Sequence, residues 1–173
     1  KQITLKGDQI ILPASILEEL TNNDDIQSPY VFTITTDNTE QIISCHAIEF
    51  TNYEPVVNIP NWITHNLYPY QVGDMVKISL SNLEKGTMVK IRPHESIFLT
   101  FEDHKSILES ELTNYSTLTS GTTITINHND IDFNIDIVEV NDSSGNSPKS
   151  VYIVDTDITV DFLPPHDYIE PKP

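Results

Sequence analysis

The segment Asp130-Ile131-Asp132-Phe133-Asn134-Ile135-Asp136-Ile137 constrains the fold more than any other stretch of the chain. Apolar and polar residues alternate in it without a break, and side chains on a β-strand point to opposite faces at every step. The pattern predicts one strand held to a core by Ile131, Phe133, Ile135 and Ile137, with Asp130, Asp132, Asn134 and Asp136 turned to water. Oxygen-bearing residues at every second position also imitate a calcium loop. That loop needs glycine at its sixth position for a sharp turn, and Ile135 stands there. A half-buried strand with an acidic outer face is the reading that remains.

Short runs of the same kind recur along the chain. Gln9–Leu12, Tyr30–Thr36, Ile42–Phe50, Val56–Ile59, Met75–Leu80, Thr87–Arg92, Thr122–His128, Ile131–Val140 and Ser150–Thr156 are rich in Ile, Val, Thr and Phe. Many short strands separated by polar turns predict a mainly β barrel or roll. Three helices interrupt them. Pro13 suits a first helical position, with Ile16, Leu17 and Leu20 on one face behind it. Pro60 opens a second helix, in which Ile63 and Leu67 stand four residues apart. Asp103 is a candidate N-cap for a third, with an apolar stripe of Ile107, Leu108, Leu112 and Tyr115.

The pattern changes near Arg92–Phe101. A strand-rich part precedes it, and a helix followed by strands comes after, as in a small α+β unit. The expected division is residues 1–94, then 95–162, then an extended proline-rich tail over 163–173. Ile97, Phe98, Leu99 and Phe101 are expected to anchor the junction so that it packs rather than flexes. Asp37–Gln41 and Asn141–Pro148 read as exposed loops.

Charge decides which partners are plausible. With 26 Asp and Glu against 9 Lys and Arg, the net charge of -17 repels phosphate backbones and excludes nucleic-acid binding. No run approaches the roughly 18 apolar residues of a membrane span, and the opening Lys1-Gln2-Ile3-Thr4-Leu5 lacks the apolar core of a signal peptide. The single cysteine, Cys45, has no internal disulfide partner, which fits a reducing compartment.

Catalytic signatures are missing. None of the six histidines, His46, His65, His94, His104, His128 and His166, pairs with another at helical ligand spacing, so neither a metal nor another cofactor is expected. Cys45 reads as a small buried hydrophobe, without the cationic surroundings that would make it a nucleophile. Asp155-Thr156-Asp157 imitates the Asp-Thr-Gly of aspartic proteases, but Asp157 replaces the glycine that lets that chain turn. No glycine-rich phosphate loop is present.

The remaining unusual motifs, taken in order, resemble one family. They are Lys6-Gly7-Asp8-Gln9-Ile10-Ile11-Leu12-Pro13, Ser28-Pro29-Tyr30-Val31-Phe32, Cys45-His46-Ala47-Ile48-Glu49-Phe50 and Ile59-Pro60-Asn61-Trp62-Ile63. Val72-Gly73-Asp74, Val89-Lys90-Ile91-Arg92-Pro93, Leu118-Thr119-Ser120-Gly121 and Val160-Asp161-Phe162 follow. Together they look like the N-terminal domain of the ubiquitin fusion degradation protein 1 family, cofactors of an AAA ATPase unfoldase. The resemblance implies a double-psi β-barrel followed by a small α/β roll. It implies a non-enzymatic adaptor that binds ubiquitin and polyubiquitin chains for extraction and proteasomal degradation of the ER-associated kind. The AAA unfoldase and a second adaptor subunit would bind through regions outside this chain. The location implied is cytoplasmic or nuclear, including the ER surface, with a plastid-import copy as the alternative.

Within that family Asp136 takes a place that can be basic. Asp130, Asp132, Asn134 and Asp136 are nevertheless the candidate ubiquitin contacts, because an acidic surface suits ubiquitin, whose apolar patch is ringed by basic side chains. Trp62 is expected to be a core plug, since burying it removes about 150–250 Å² from water. The rival readings are an acid hydrolase on a double-psi barrel and an acidic assembly module holding some other basic protein.

Overall fold

The structure is a computed structural model that describes residues 4–22, 30–37 and 39–169. Strands β1 (Gln9–Pro13), β2 (Val31–Thr36), β3 (Thr39–Asn52) and β4 (Lys77–Ser81) form one sheet in the order β1-β3-β2-β4. A second sheet joins β5 (Gly86–Pro93), β7 (Thr122–His128), β8 (Ile131–Asp142) and β10 (Thr159–Phe162) in the order β10-β5-β8-β7. The short strands β6 (Thr117–Thr119) and β9 (Ser150–Tyr152) pair with each other. Helices α1 (Ala14–Thr21), α2 (Asn61–Asn66) and α3 (His104–Leu112) punctuate the strands, as does a 3₁₀ turn over Ser96–Thr100. The fold is mainly β with an α+β arrangement. No helix among the described residues is long and apolar enough to cross a membrane.

β8 follows its alternating pattern, with instructive exceptions. Phe133, Ile135 and Ile137 are buried, but Ile131 is 54% exposed and does not hold the core. It closes the β7–β8 ladder opposite His128, next to a two-residue turn in which Asn129 and Asp130 both have positive φ. Such turns match the twist of the flanking strands, and they lift the first residue past the rim of the core. At the other end Ile91 pairs with Ile137 while Lys90 pairs with Glu139, leaving Val138 as an extra residue. This bulge moves the inward phase by one, so Val138 is exposed and Val140 is buried.

Other expectations need correction. Val56–Ile59 is not a strand; only Asn58 makes a bridge, to Ile11. Thr39–Gln41, expected in a loop, begins β3. Pro13 and Pro60 occupy N-caps rather than first helical positions, and Leu17 sits exposed at the edge of the α1 face. Helix α3 ends at Leu112, so the buried Tyr115 belongs to the turn after it. At the junction Phe98 is fully buried against Phe133, whereas Ile97 is exposed, because three residues per turn put Phe98 and Phe101 on the same side. Strand β5, which precedes the expected division at residue 94, hydrogen-bonds to β8 and β10 in the second sheet. Ser28, Pro29 and residues 170–173 of the expected tail lie outside the described residues.

Polar and aromatic contacts lock the turn before β1 and helix α2 to later parts of the chain, at β6, β7 and the turn after α3. Asp8 is fully buried; its carboxylate accepts the backbone N–H groups of Ser116 (2.8 Å) and Thr117 (2.9 Å). The Asn66 side chain, on α2, accepts from the Thr123 N–H and donates to the Thr123 carbonyl at 2.7 Å each. Trp62 is buried as expected, its ring 5.9 Å from that of Tyr115 and its indole N–H donating to the Gly7 carbonyl at 2.7 Å.

Candidate interaction surface on strand β8

The outward row of β8 is paired residue by residue with β7. Asn127 donates to Asp132 at 2.8 Å, Thr125 donates to Asn134 at 2.8 Å, and Thr123 donates to Asp136 at 2.6 Å. Each bond joins residues that are direct partners in the ladder. Cross-strand pairs of this kind order side chains on one face and hold them there. Asp130, Asp132 and Asn134 are exposed, and Asp130 stands at the hairpin tip.

Asp136 differs from the other three. Its carboxylate is half-buried and faces two imidazoles, His94 Nε2 at 2.7 Å from Oδ1 and His166 Nε2 at 2.5 Å from Oδ2. Partial burial pushes this carboxyl up, but the hydrogen bonds from Thr123, His166 and His94, with the charge of His94, outweigh burial and hold it below the usual carboxylate range. No local spacing announces this cluster, because His94 and His166 lie 42 and 30 residues from Asp136. Sheet pairing and the return of the chain after β10 bring them together.

Asp132 and Thr125 also border an open depression of about 570 Å³, whose far wall holds Trp62, His65 and Tyr115. The depression joins the acidic row to the α2 region of the first sheet. Elsewhere the groups considered for catalysis are placed unfavourably for it. Cys45 is fully buried; burial pushes its thiol well up, with the Asp8 charge adding to the effect. Asp155 and Asp157 are both exposed rather than set in an apolar pocket.

These features define a mainly β module that presents an ordered acidic strand face. The chain belongs to the ubiquitin fusion degradation protein 1 family. The family profile described as ubiquitin fusion degradation protein UFD1, N-terminal subdomain 1, matches residues 1–84, and that for N-terminal subdomain 2 matches residues 85–165. Ubiquitin fusion degradation protein 1 of Saccharomyces cerevisiae is 36% identical over 165 residues, which is 95% of this chain and 45% of the relative. The human and mouse proteins named ubiquitin recognition factor in ER-associated degradation protein 1 are each 32% identical over 167 residues, 96% of this chain and 52% of the relative. The chain spans about half the length of the curated relatives it matches.

Proposed function

We propose that this chain is a non-enzymatic adaptor module that binds ubiquitin and polyubiquitin chains and presents modified substrates to an AAA unfoldase for ER-associated degradation. A double-psi barrel and an α/β roll that takes in β5 form its scaffold, and the unfoldase and a second adaptor engage regions beyond it. The module works at the cytoplasmic face of the ER or in the nucleus. Family membership supports the pathway, since the human and mouse relatives are named as ubiquitin recognition factors.

The observation that carries the contact is the exposed pair Asp132 and Asn134, fixed on β8 by partners on β7, with Asp130 at the hairpin tip before it and Asp136 continuing it. A pre-ordered acidic row meets a basic-rimmed partner with little loss of side-chain freedom, and opposite fields speed encounter. The exposure of Asp155 and Asp157 disfavours the hydrolase reading, which needs a carboxyl in an apolar pocket.

Titration of the chain with ubiquitin chains at low and high salt tests the proposal, with Asp132→Lys and Asn134→Lys as variants. Association slows in both, and the wild-type advantage shrinks as the Debye length falls from about 10 Å at 0.1 M to about 3 Å at 1 M. Unchanged binding in both variants removes β8 from the contact. Chemical-shift changes confined to the first sheet move the site there, and equal capture of a basic control protein favours the assembly-module reading.

A further inference from the structure

We propose that His94, Asp136 and His166 form a binding site for a divalent transition metal of the zinc class, which fastens the segment after β10 to the second sheet. It shares only Asp136 with the acidic row proposed to meet ubiquitin. The three side chains are the one grouping of this kind among the described residues, and their ligand atoms all lie within 4.8 Å of one another. The imidazole rings meet edge to face at 4.8 Å between centroids, and both aim Nε2 at the same carboxylate.

The donor set is chemically specific. Two imidazole nitrogens and a carboxylate oxygen match zinc sites that have three protein ligands and an open fourth position, whereas calcium and magnesium prefer all-oxygen shells. Bond lengths of about 2.0–2.2 Å in a tetrahedral site place neighbouring ligand atoms about 3.3–3.6 Å apart. The observed separations of 2.7 and 2.5 Å therefore need to open by only about 1 Å. Side-chain rotation supplies that, since the three groups are between 25% and 48% exposed.

The surroundings resemble the support of a metal site. The Thr123 hydroxyl donates to Asp136 Oδ1 at 2.6 Å, orienting the carboxylate from behind. Backbone bonds fix the two histidines to adjacent strands, His94 N–H to the Asn134 carbonyl of β8 at 2.9 Å and His166 N–H to the Pro93 carbonyl of β5 at 3.0 Å. Arg92, opposite Asp136 in the ladder, turns its guanidinium to the Pro164 carbonyl at 3.1 Å rather than to the carboxylate. The net charge of -17 raises the local concentration of cations.

A metal here would cross-link β5, β8 and the chain leaving β10, and so set the direction in which the polypeptide departs from the sheet. The test is titration of the untagged chain with Zn²⁺, and with Co²⁺ as a coloured stand-in. The expected result is one ion per chain, with the intense visible bands of four-coordinate cobalt and slower amide exchange over residues 163–168. His94→Gln and His166→Gln each weaken binding by about 100-fold or more, and Thr123→Val by about 10–100-fold, the usual range for an outer hydrogen bond. His166 lies on the exposed exit segment, so its variant folds and reports on the metal alone. Zinc bound equally by wild type and both histidine variants, or cobalt without four-coordinate bands, overturns the proposal and leaves a hydrogen-bonded His–Asp–His clamp.

Discussion

Asp8 and Thr117 meet in the interior although 109 residues separate them, and Asp8 Oδ2 accepts both the Thr117 N–H at 2.9 Å and its hydroxyl at 2.5 Å. Oδ1 takes the Ser116 N–H and lies 3.1 Å from His46 Nδ1. A fully buried carboxylate is tolerated because its oxygens are answered by donors. It pins the turn before β1 to the start of β6.

Asp8→Asn keeps the shape but aims an NH₂ group at N–H donors, and Asp8→Ala strands those donors. Each unsatisfied buried donor costs about 1–3 kcal/mol, so both variants lose on the order of 3 kcal/mol. At about 2–4 °C per kcal/mol for a chain of this size, melting falls by roughly 6–12 °C. Thermal denaturation checks this, and an Asn variant that melts like the parent shows that the charge is unnecessary.

Gly7 and Trp62 form a second lock beside it. Gly7 has φ of +55°, and a Cβ there would lie 2.1 Å from the Asn114 carbonyl oxygen, a backbone atom that cannot swing aside. Gly7→Ala therefore destabilises through both strain and clash. Trp62→Ala costs about 3–5 kcal/mol, the usual loss for a buried aromatic. Trp62→Phe keeps most of the packing against Tyr115 and loses the bond to Gly7, for about 1–3 kcal/mol. Chemical denaturation should rank Trp62→Ala below Trp62→Phe. A Trp62→Ala variant as stable as the parent but blind to ubiquitin makes Trp62 a binding anchor instead.

Cys45 should be silent toward thiol reagents in the native state. Its side chain is fully buried on β3, its Sγ sits 3.6 Å from the Phe32 carbonyl, and burial disfavours the thiolate that reacts. Labelling at mildly alkaline pH should track the unfolded fraction as denaturant rises. Rapid labelling without denaturant would mean that β2 and β3 part locally.

Periodicity made the strands legible wherever one face meets the core and the other meets water. Thr122–His128 and the inward residues Phe133, Ile135 and Ile137 follow directly from alternation. It fails where the ladder is irregular. The bulge at Val138 comes from pairing with β5, and no local signal in β8 specifies it. Strand β10 has one buried residue, Val160, among exposed or half-buried neighbours, so hydrophobic pattern alone passes over it. The candidate site divides the same way. Alternation finds Asp130, Asp132 and Asn134, while the two imidazoles beside Asp136 and the donors around Asp8 are consequences of long-range pairing. Spacing along the chain carries no trace of them.

Glu111, on α3, offers a pH-dependent test. Burial pushes its carboxyl above the ordinary value of 4.5, and the nearby Lys6 charge only partly opposes this. The folded state thus holds this proton more tightly than the unfolded state does. Its stabilising contribution is complete below the unfolded value and is lost as pH rises through the folded one. At neutral pH the ionised group is a penalty, because burial disfavours the charged carboxylate more than Lys6 favours it. Glu111→Gln should raise the melting temperature at pH 7 and give little or no gain near pH 4. The group is largely solvated, so screening keeps the gain below about 1 kcal/mol, or up to about 4 °C. Parallel melts of both proteins at the two pH values decide the matter, and an equal difference at both would mean that packing rather than ionisation sets the effect.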